Sequence, residues 1–322
     1  MTDADTSASD QSDRRDASQD TVLVTGATGF LGSHVVEALL ADGWRVRCTV
    51  RKTSNLRWIE SLSVELVTVD VRSPTGLEAA LDGVSTVVHS AGVTRAPRDA
   101  EYHRVNAEGT QSLAEAAVAA GVGRFVLVSS LAARGPDARP GDVGPGADRP
   151  TSAYGQSKLA GERRLFQVAA QAPGRMRPVI LRPGAIYGPR DQESLELFRL
   201  ARSGMLPVPS NRGRLQPVFV KDVAEAVVRT ASRRDLDMGP YAIVGPEIVT
   251  WEQLGRALEN AVGRKLRLVR VPGPLWQVGG AVSETAARLF GQTPQFDRRT
   301  ADDLARFQWT ASLDPAEAAL GW

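Results

Sequence analysis

The chain has 322 residues and a net charge of +2, a length that allows one large α/β domain with an appendage or two domains. Its basic side chains are almost all arginines scattered among acids, which points away from nucleic acid and from an anionic membrane and towards a small-molecule substrate. No apolar run approaches the roughly 18 to 20 residues that span a bilayer, and the lone cysteine, Cys48, has no internal partner, as in a reducing compartment.

Residues 1 to 20 lack any apolar stretch and are rich in Asp, Ser and Thr, so they are expected to be the disordered tail of a cytoplasmic protein and not a signal peptide. TVLVTGATGFLGSHVVEALL, residues 21 to 40, reads as strand, tight glycine turn and helix. Glycines at 26, 29 and 32 suit a backbone that approaches a pyrophosphate at a helix N-terminus, so a dinucleotide is the expected occupant. The spacing G-x-x-G-x-x-G is one residue longer in its first half than the general dinucleotide fingerprint, and the strand and helix around it carry the reading.

A second strand, 44 to 50, ends in Arg51-Lys52, where an acid would bond a ribose 2′-hydroxyl and an arginine accommodates a 2′-phosphate. This favours NADP(H) over NAD(H), with a solvated strand-end charge as the rival reading of Arg51. A third strand, 64 to 70, ends in Asp70, placed to face an adenine, and a fourth, 86 to 90, is followed by the small residues Ala91-Gly92. A helix is expected over 103 to 122, stopped by glycines, then an interior fifth strand at 125 to 130. The Pro/Gly loop 135 to 150 leaves that strand's carboxyl end and is placed to border a substrate. A helix over 154 to 168 and a strand over 178 to 183 follow. Strands alternating with helices at this rhythm give a Rossmann-type, doubly wound parallel sheet.

Beyond Pro183 the alternation fails, so a smaller, interleaved carboxyl-terminal lobe is expected. The division is 21 to 183, joined by about 218 to 245, for the dinucleotide, and 184 to 217 with 246 to 322 for the substrate. Within it, 223 to 231 reads as a helix and 241 to 245 as a strand returning to the first lobe.

Tyr154 and Lys158, four apart, share one face of a helix, and Ser130 ends the interior strand at the edge where a ligand lies. A neighbouring ammonium and a cationic nicotinamide both favour the ionised phenol, and a serine hydroxyl can hold the oxygen of a reacting carbonyl. A tyrosine and lysine at this spacing are common in any helix, and a serine ending a strand often caps one; the glycine turn upstream sets these apart.

TGATGFLG, HSAG, VNAEGT, LVSS, YGQSK and LRPGAIYGP, in this order, resemble the extended short-chain dehydrogenase/reductase superfamily, also described as the NAD-dependent epimerase/dehydratase family, over residues 21 to 322. The resemblance implies catalysis by Ser130, Tyr154 and Lys158. It also implies cofactor contacts from Gly26, Thr28, Gly29, Phe30, Leu31, Arg51, Asp70, Val71, Ala91, Gly92, Asn106 and Pro183, with Tyr154 and Lys158 beside them, and a homodimer pairing helices after the fourth and fifth strands. The alanines from 114 to 120 would allow close helix approach.

Sugar-nucleotide epimerases and dehydratases usually carry an asparagine where this chain has Ala185 and an arginine where it has Leu215, both of which help hold a diphosphate. The V-R ending the second strand and the L-R-P before Y-G-P are more similar to the dihydroflavonol-reductase and 3β-hydroxysteroid-dehydrogenase branches, which act on less polar molecules. The expected activity is hydride transfer between nicotinamide and a carbonyl or secondary alcohol. Its rivals are a sugar-nucleotide epimerase or dehydratase and, from another class, a non-catalytic dinucleotide-binding subunit or redox sensor. His34, His89 and His103 lack ligand spacing, so structural roles and no metal are expected. The tryptophans gather towards the end of the chain and are expected in the core of the second lobe, with Trp276 in reach of an apolar substrate.

Overall fold

The computed structural model describes residues 20–73, 75–136, 148–209, 213–233, 235–289 and 308–322, with side chains as far as 283 in the helix that ends at 289. All but one residue of the expected tail, most of the 135 to 150 loop and residues 210 to 212 lie outside the described residues.

Six parallel strands come first: β1 Thr21–Thr25, β2 Arg45–Val50, β3 Glu65–Thr68, β4 Val84–His89, β5 Arg124–Val128 and β6 Arg177–Pro183. Between them run α1 Phe30–Ala41, α2 Leu77–Leu81, α3 Asp99–His103, a π turn at Arg104–Glu108 that leads into α4 Gly109–Ala119, then α5 Leu131–Arg134 and α6 Ala153–Gln171. The later elements are β7 Ile186–Tyr187, α7 Gln192–Ser203, β8 Met205–Pro209, β9 Arg214–Leu215, β10 Val218–Phe219, α8 Val220–Ser232 and β11 Tyr241–Ile243. The chain closes with β12 Val249–Thr250, α9 Trp251–Val262, β13 Arg267–Val271, α10 Gly273–Leu289 and α11 Asp314–Leu320.

The central sheet has seven strands in the order β11-β6-β5-β4-β1-β2-β3, every pair parallel. This is a Rossmann-type sheet, and β11 joins it beyond β6. Strand order reverses between β1 and β4, which opens the ligand crevice at their carboxyl ends. Alternation along β1 explains the two-sided core: Val22 and Val24 join Val36, Leu39, Val126 and Val227 on one face, while Leu23 joins Leu113, Phe125 and Leu165 on the other. A much smaller core of Ala201, Leu206, Val208 and Leu258 joins α7 and α9 to the β8–β13 pair.

Three expectations need correction. The helix expected over 103 to 122 starts at Asp99, widens into the π turn at Arg104–Glu108 and ends at Ala119, because Asn106 is drawn into contacts with neighbouring elements. Trp251 packs with the second lobe, but Trp44, Trp58 and Trp322 pack against the sheet layer, and the Trp322 indole donates to the Asp222 carbonyl at 3.0 Å. Ala316 and Leu320 bury in that layer too, so α11 covers the sheet. Of the alanines from 114 to 120, Ala114 and Ala117 are wholly buried under their own sheet, Ala116 packs against the same core, and Ala119 and Ala120 are exposed.

Candidate active site

The turn after β1 is built for close approach. Gly26 has φ +74°, and a Cβ there would meet the Ala91 nitrogen at 2.7 Å; a Cβ on Gly32 would sit 2.1 Å from the Gly26 carbonyl. Only glycine lets the ends of β1 and β4 and the start of α1 converge. Gly29 caps α1 without a side-chain hydrogen bond, and no acid stands in the first turn, so the first amides of α1 keep their capacity for an anion. Thr28, Phe30 and Leu31 are half-buried around an exposed Gly29. These residues fit a dinucleotide pyrophosphate.

Arg51 is exposed at the carboxyl end of β2, with Lys52 beside it. Asp70 lies past β3 and is gripped by Arg72, whose Nε donates to Oδ1 and Oδ2 at 2.9 and 3.0 Å. That hydrogen bonding holds the Asp70 carboxyl down at about 2. Val71 next to it is half-buried.

Ala91 and Gly92 follow β4. A Cβ on Gly92 would lie 3.0 Å from Asn106 Oδ1 and 3.8 Å from Lys158 Nζ, so the β4 loop, the π turn and α6 meet here. Asn106 is buried and its side chain is fully engaged: Oδ1 accepts from the Val93 amide at 2.9 Å, and Nδ2 donates to the Val93 carbonyl at 3.0 Å and to Ser157 Oγ at 2.9 Å. Ser157 in turn donates to the Tyr154 carbonyl at 2.7 Å. Asn106 thus braces the loop after β4 against the helix that carries the tyrosine and lysine.

Ser130 is the N-cap of α5, accepting from the Ala132 amide at 3.1 Å, and its hydroxyl lies near enough to Tyr154 to favour the ionised phenol. The cap and this closeness to the tyrosine coexist. Burial pushes the Tyr154 phenol up and the nearby Ser130 hydroxyl works against that; Glu193 and Tyr102 add to the rise. The Tyr102 ring meets Tyr154 edge-on, with centroids 6.2 Å apart.

Lys158 is buried and donates to the Val128 carbonyl at 2.7 Å, at the end of β5. Burial lowers its ammonium to about 8, with Glu162 opposing the fall. The lysine charge is therefore tethered to the backbone, and within the protein alone burial outweighs the effects that favour the phenolate. Pro183 is buried at the end of β6.

Two networks escaped sequence reasoning. His89 is buried between Thr25 Oγ1, 2.6 Å from Nδ1, and Thr110 Oγ1, 3.1 Å from Nε2. Thr110 donates to the Asn106 carbonyl at 2.8 Å, so its proton is committed and His89 must donate from Nε2 and accept at Nδ1 from Thr25. Thr25 Oγ1 accepts from the Ala91 amide at 3.2 Å. Burial, reinforced by Lys158, pushes His89 down to about 3, which fixes it as neutral imidazole. The second network centres on Arg182, buried at the end of β6. It binds Asp148 at 2.8 and 3.0 Å and Glu162 at 3.0 and 2.6 Å, and Glu162 also accepts from Ser129. HSAG and LRP were visible as motifs, but the partners of His89 and Arg182 come from distant segments. Among the described residues no cluster of His, Cys, Asp and Glu is arranged to hold a metal.

A conserved-family model for the NAD dependent epimerase/dehydratase family matches residues 22–243. The chain belongs to this family of NAD-dependent enzymes. It is 38% identical to the ceramide reductase of Caulobacter vibrioides over 295 residues, covering 91% of this chain and 87% of the relative. It is 31% identical to sterol demethylase protein B of Methylococcus capsulatus over 295 residues, 86% of each chain. The structure of MoeE5 in complex with UDP-glucuronic acid and NAD superimposes with a TM-score of 0.73 at 27% identity, over 94% of this chain and 93% of the other.

Proposed function

We propose that the protein is an NADP-preferring oxidoreductase that moves hydride between the nicotinamide and a carbonyl or secondary alcohol of an apolar, lipid-like molecule. The observation that carries the reading is the grouping of Ser130, which caps α5 just past β5 and acts on the Tyr154 phenol, with Lys158, held on the Val128 carbonyl. The α1 N-terminus would hold the pyrophosphate, and Arg51 with Lys52 a 2′-phosphate. The nicotinamide, when bound, supplies or accepts the hydride. Ser130 holds the substrate oxygen and Tyr154 gives it a proton in the reductive direction, for which a phenol held in its protonated form is suited. In the oxidative direction Tyr154 must accept that proton, and the positive charges of Lys158 and the oxidised nicotinamide favour its ionised form.

The substrate class is supported by the ceramide and sterol enzymes among the relatives and by Ala185 and Leu215, where diphosphate-binding members carry polar side chains. Leu215 instead pairs with Trp309 in an isolated β-bridge. The likeness to MoeE5, whose structure holds UDP-glucuronic acid and NAD, supports a second reading, an enzyme acting on a sugar nucleotide as an epimerase or dehydratase. We also propose that the dinucleotide sits on 21 to 183 with 218 to 245, the substrate on the remaining segments apart from α11, and that the chain pairs as a cytoplasmic homodimer, which light scattering tests.

NADPH oxidation followed against long-chain ketones, a steroid ketone and UDP-sugars separates these readings. Turnover is expected with the ketones and should fall at least ~10²-fold in Tyr154→Phe, while cofactor titration is unchanged. Interconversion of UDP-sugars without net NADPH consumption, or parent-like rates in Tyr154→Phe, would overturn the proposal.

A further inference from the structure

Among the described residues, twelve large apolar side chains are exposed, and only Leu66 belongs to the first 186 residues. Water-facing apolar surface is therefore concentrated in the later elements. The three most exposed, Leu275, Val278 and Val282 at 61%, 57% and 63%, lie on α10 at spacings that put them on one face. Gly280, on the opposite face, is buried, and Trp276 is half-buried. Residues 273 to 283 contain no charged side chain. A surface helix ordinarily turns its apolar stripe to the core and its charges to water; α10 turns apolar side chains to both.

The segment leading into this helix is cationic. Residues 260 to 283 include no acid, and Arg264, Lys265, Arg267 and Arg270 fall within seven positions of one another. Arg264 donates to the Arg202 carbonyl and Arg270 pairs with Glu252, but Lys265 and Arg267 are exposed and form no ion pair among the described residues. Pairing along β8 and β13 places Arg267 beside exposed Met205 and Val269 beside Pro207, on the side of the pair away from Leu206 and Val208. A second copy seated about a two-fold axis would bring these like charges towards each other, whereas anionic headgroups would neutralise them.

We propose that α10 and the basic strand before it dock the protein on an anionic lipid bilayer, Leu275, Val278 and Val282 entering the headgroup boundary and Lys265 and Arg267 meeting the headgroups. The proposal rests on the lipid-like substrate class proposed above, since such a substrate resides in a bilayer. It concerns a protein lying on the membrane, and no helix among the described residues is long and apolar enough to cross one. The scatter of basic residues along the whole sequence conceals this local run.

The test is co-sedimentation of the full chain, without substrate, with vesicles of phosphatidylcholine alone or containing about one-third phosphatidylglycerol. Binding to the anionic vesicles should be at least about tenfold stronger and should weaken with salt. Replacing Leu275, Val278 and Val282 together by Ser should reduce it at least about tenfold in a protein that melts like the parent. Lys265→Gln with Arg267→Gln should remove the preference for anionic lipid. A parent that stays in the supernatant with both vesicles, or a triple serine variant that binds like the parent, would overturn the proposal. So would a serine variant whose mass by light scattering is half the parent's, because a second copy would then cover the stripe. Vesicle binding by a protein that reduces no ketone would refute the catalytic reading and leave the docking surface standing.

Discussion

Lys158→Met should change how stability depends on pH, because the native fold buries an ammonium it would otherwise leave in water. Lys158 is 6% exposed, and burial lowers it from 10.5 to about 8. At about 1.4 kcal/mol for each tenfold change, that gap corresponds to a cost of roughly 3 kcal/mol for keeping the charge in the folded state near neutrality. The unfolded chain holds the proton to about 10.5 and the folded chain releases it near 8, so within that window the unfolded state binds more protons. The lysine's contribution to stability therefore rises with pH between 8 and 10.5, by up to about 1.4 kcal/mol per pH unit. Buried Cys48, pushed up to about 12, acts in the opposite direction above about 9, but it is present in both proteins and cancels in their difference. Urea unfolding of parent and Lys158→Met from pH 7 to 10 measures that difference. The variant should match or exceed the parent at pH 7, and the parent should gain on it as pH rises. Parallel curves would refute burial as the dominant influence on Lys158.

Arg182→Met strands the buried Glu162 carboxylate, while Asp148 keeps access to water, so a loss of about 3 kcal/mol and a drop in melting temperature of several degrees are expected. Adding Glu162→Leu should recover part of that, and a melt within a degree or two of the parent for Arg182→Met alone would contradict the buried network. Arg51→Asp should invert the preference for NADP(H) over NAD(H) in a fluorescence titration; equal affinities in the parent, or no change in the variant, would remove the 2′-phosphate assignment.

The amino-acid sequence by itself determined the parallel sheet, because alternating apolar residues such as Val22, Leu23 and Val24 can satisfy two faces only inside helix-covered layers. It also determined the crevice: glycine spacing at 26, 29 and 32 is a local backbone constraint, and Tyr154 with Lys158 is a local helical one. The β11 strand was legible too, as a short apolar run returning after an irregular stretch. Only the tertiary structure decided what holds those groups. Thr25, His89, Thr110 and Asn106 come from four segments, and no periodicity links a buried imidazole to two distant hydroxyls. The same is true of Asp148, Glu162 and Arg182, whose pairing depends on β6 lying beside β5 under α6. The π turn and the outward stripe of α10 were hidden for a related reason. Sequence pattern gives the side of an element that is apolar, but contacts with other elements decide whether that side meets a core or water, and where a helix widens to meet a neighbour.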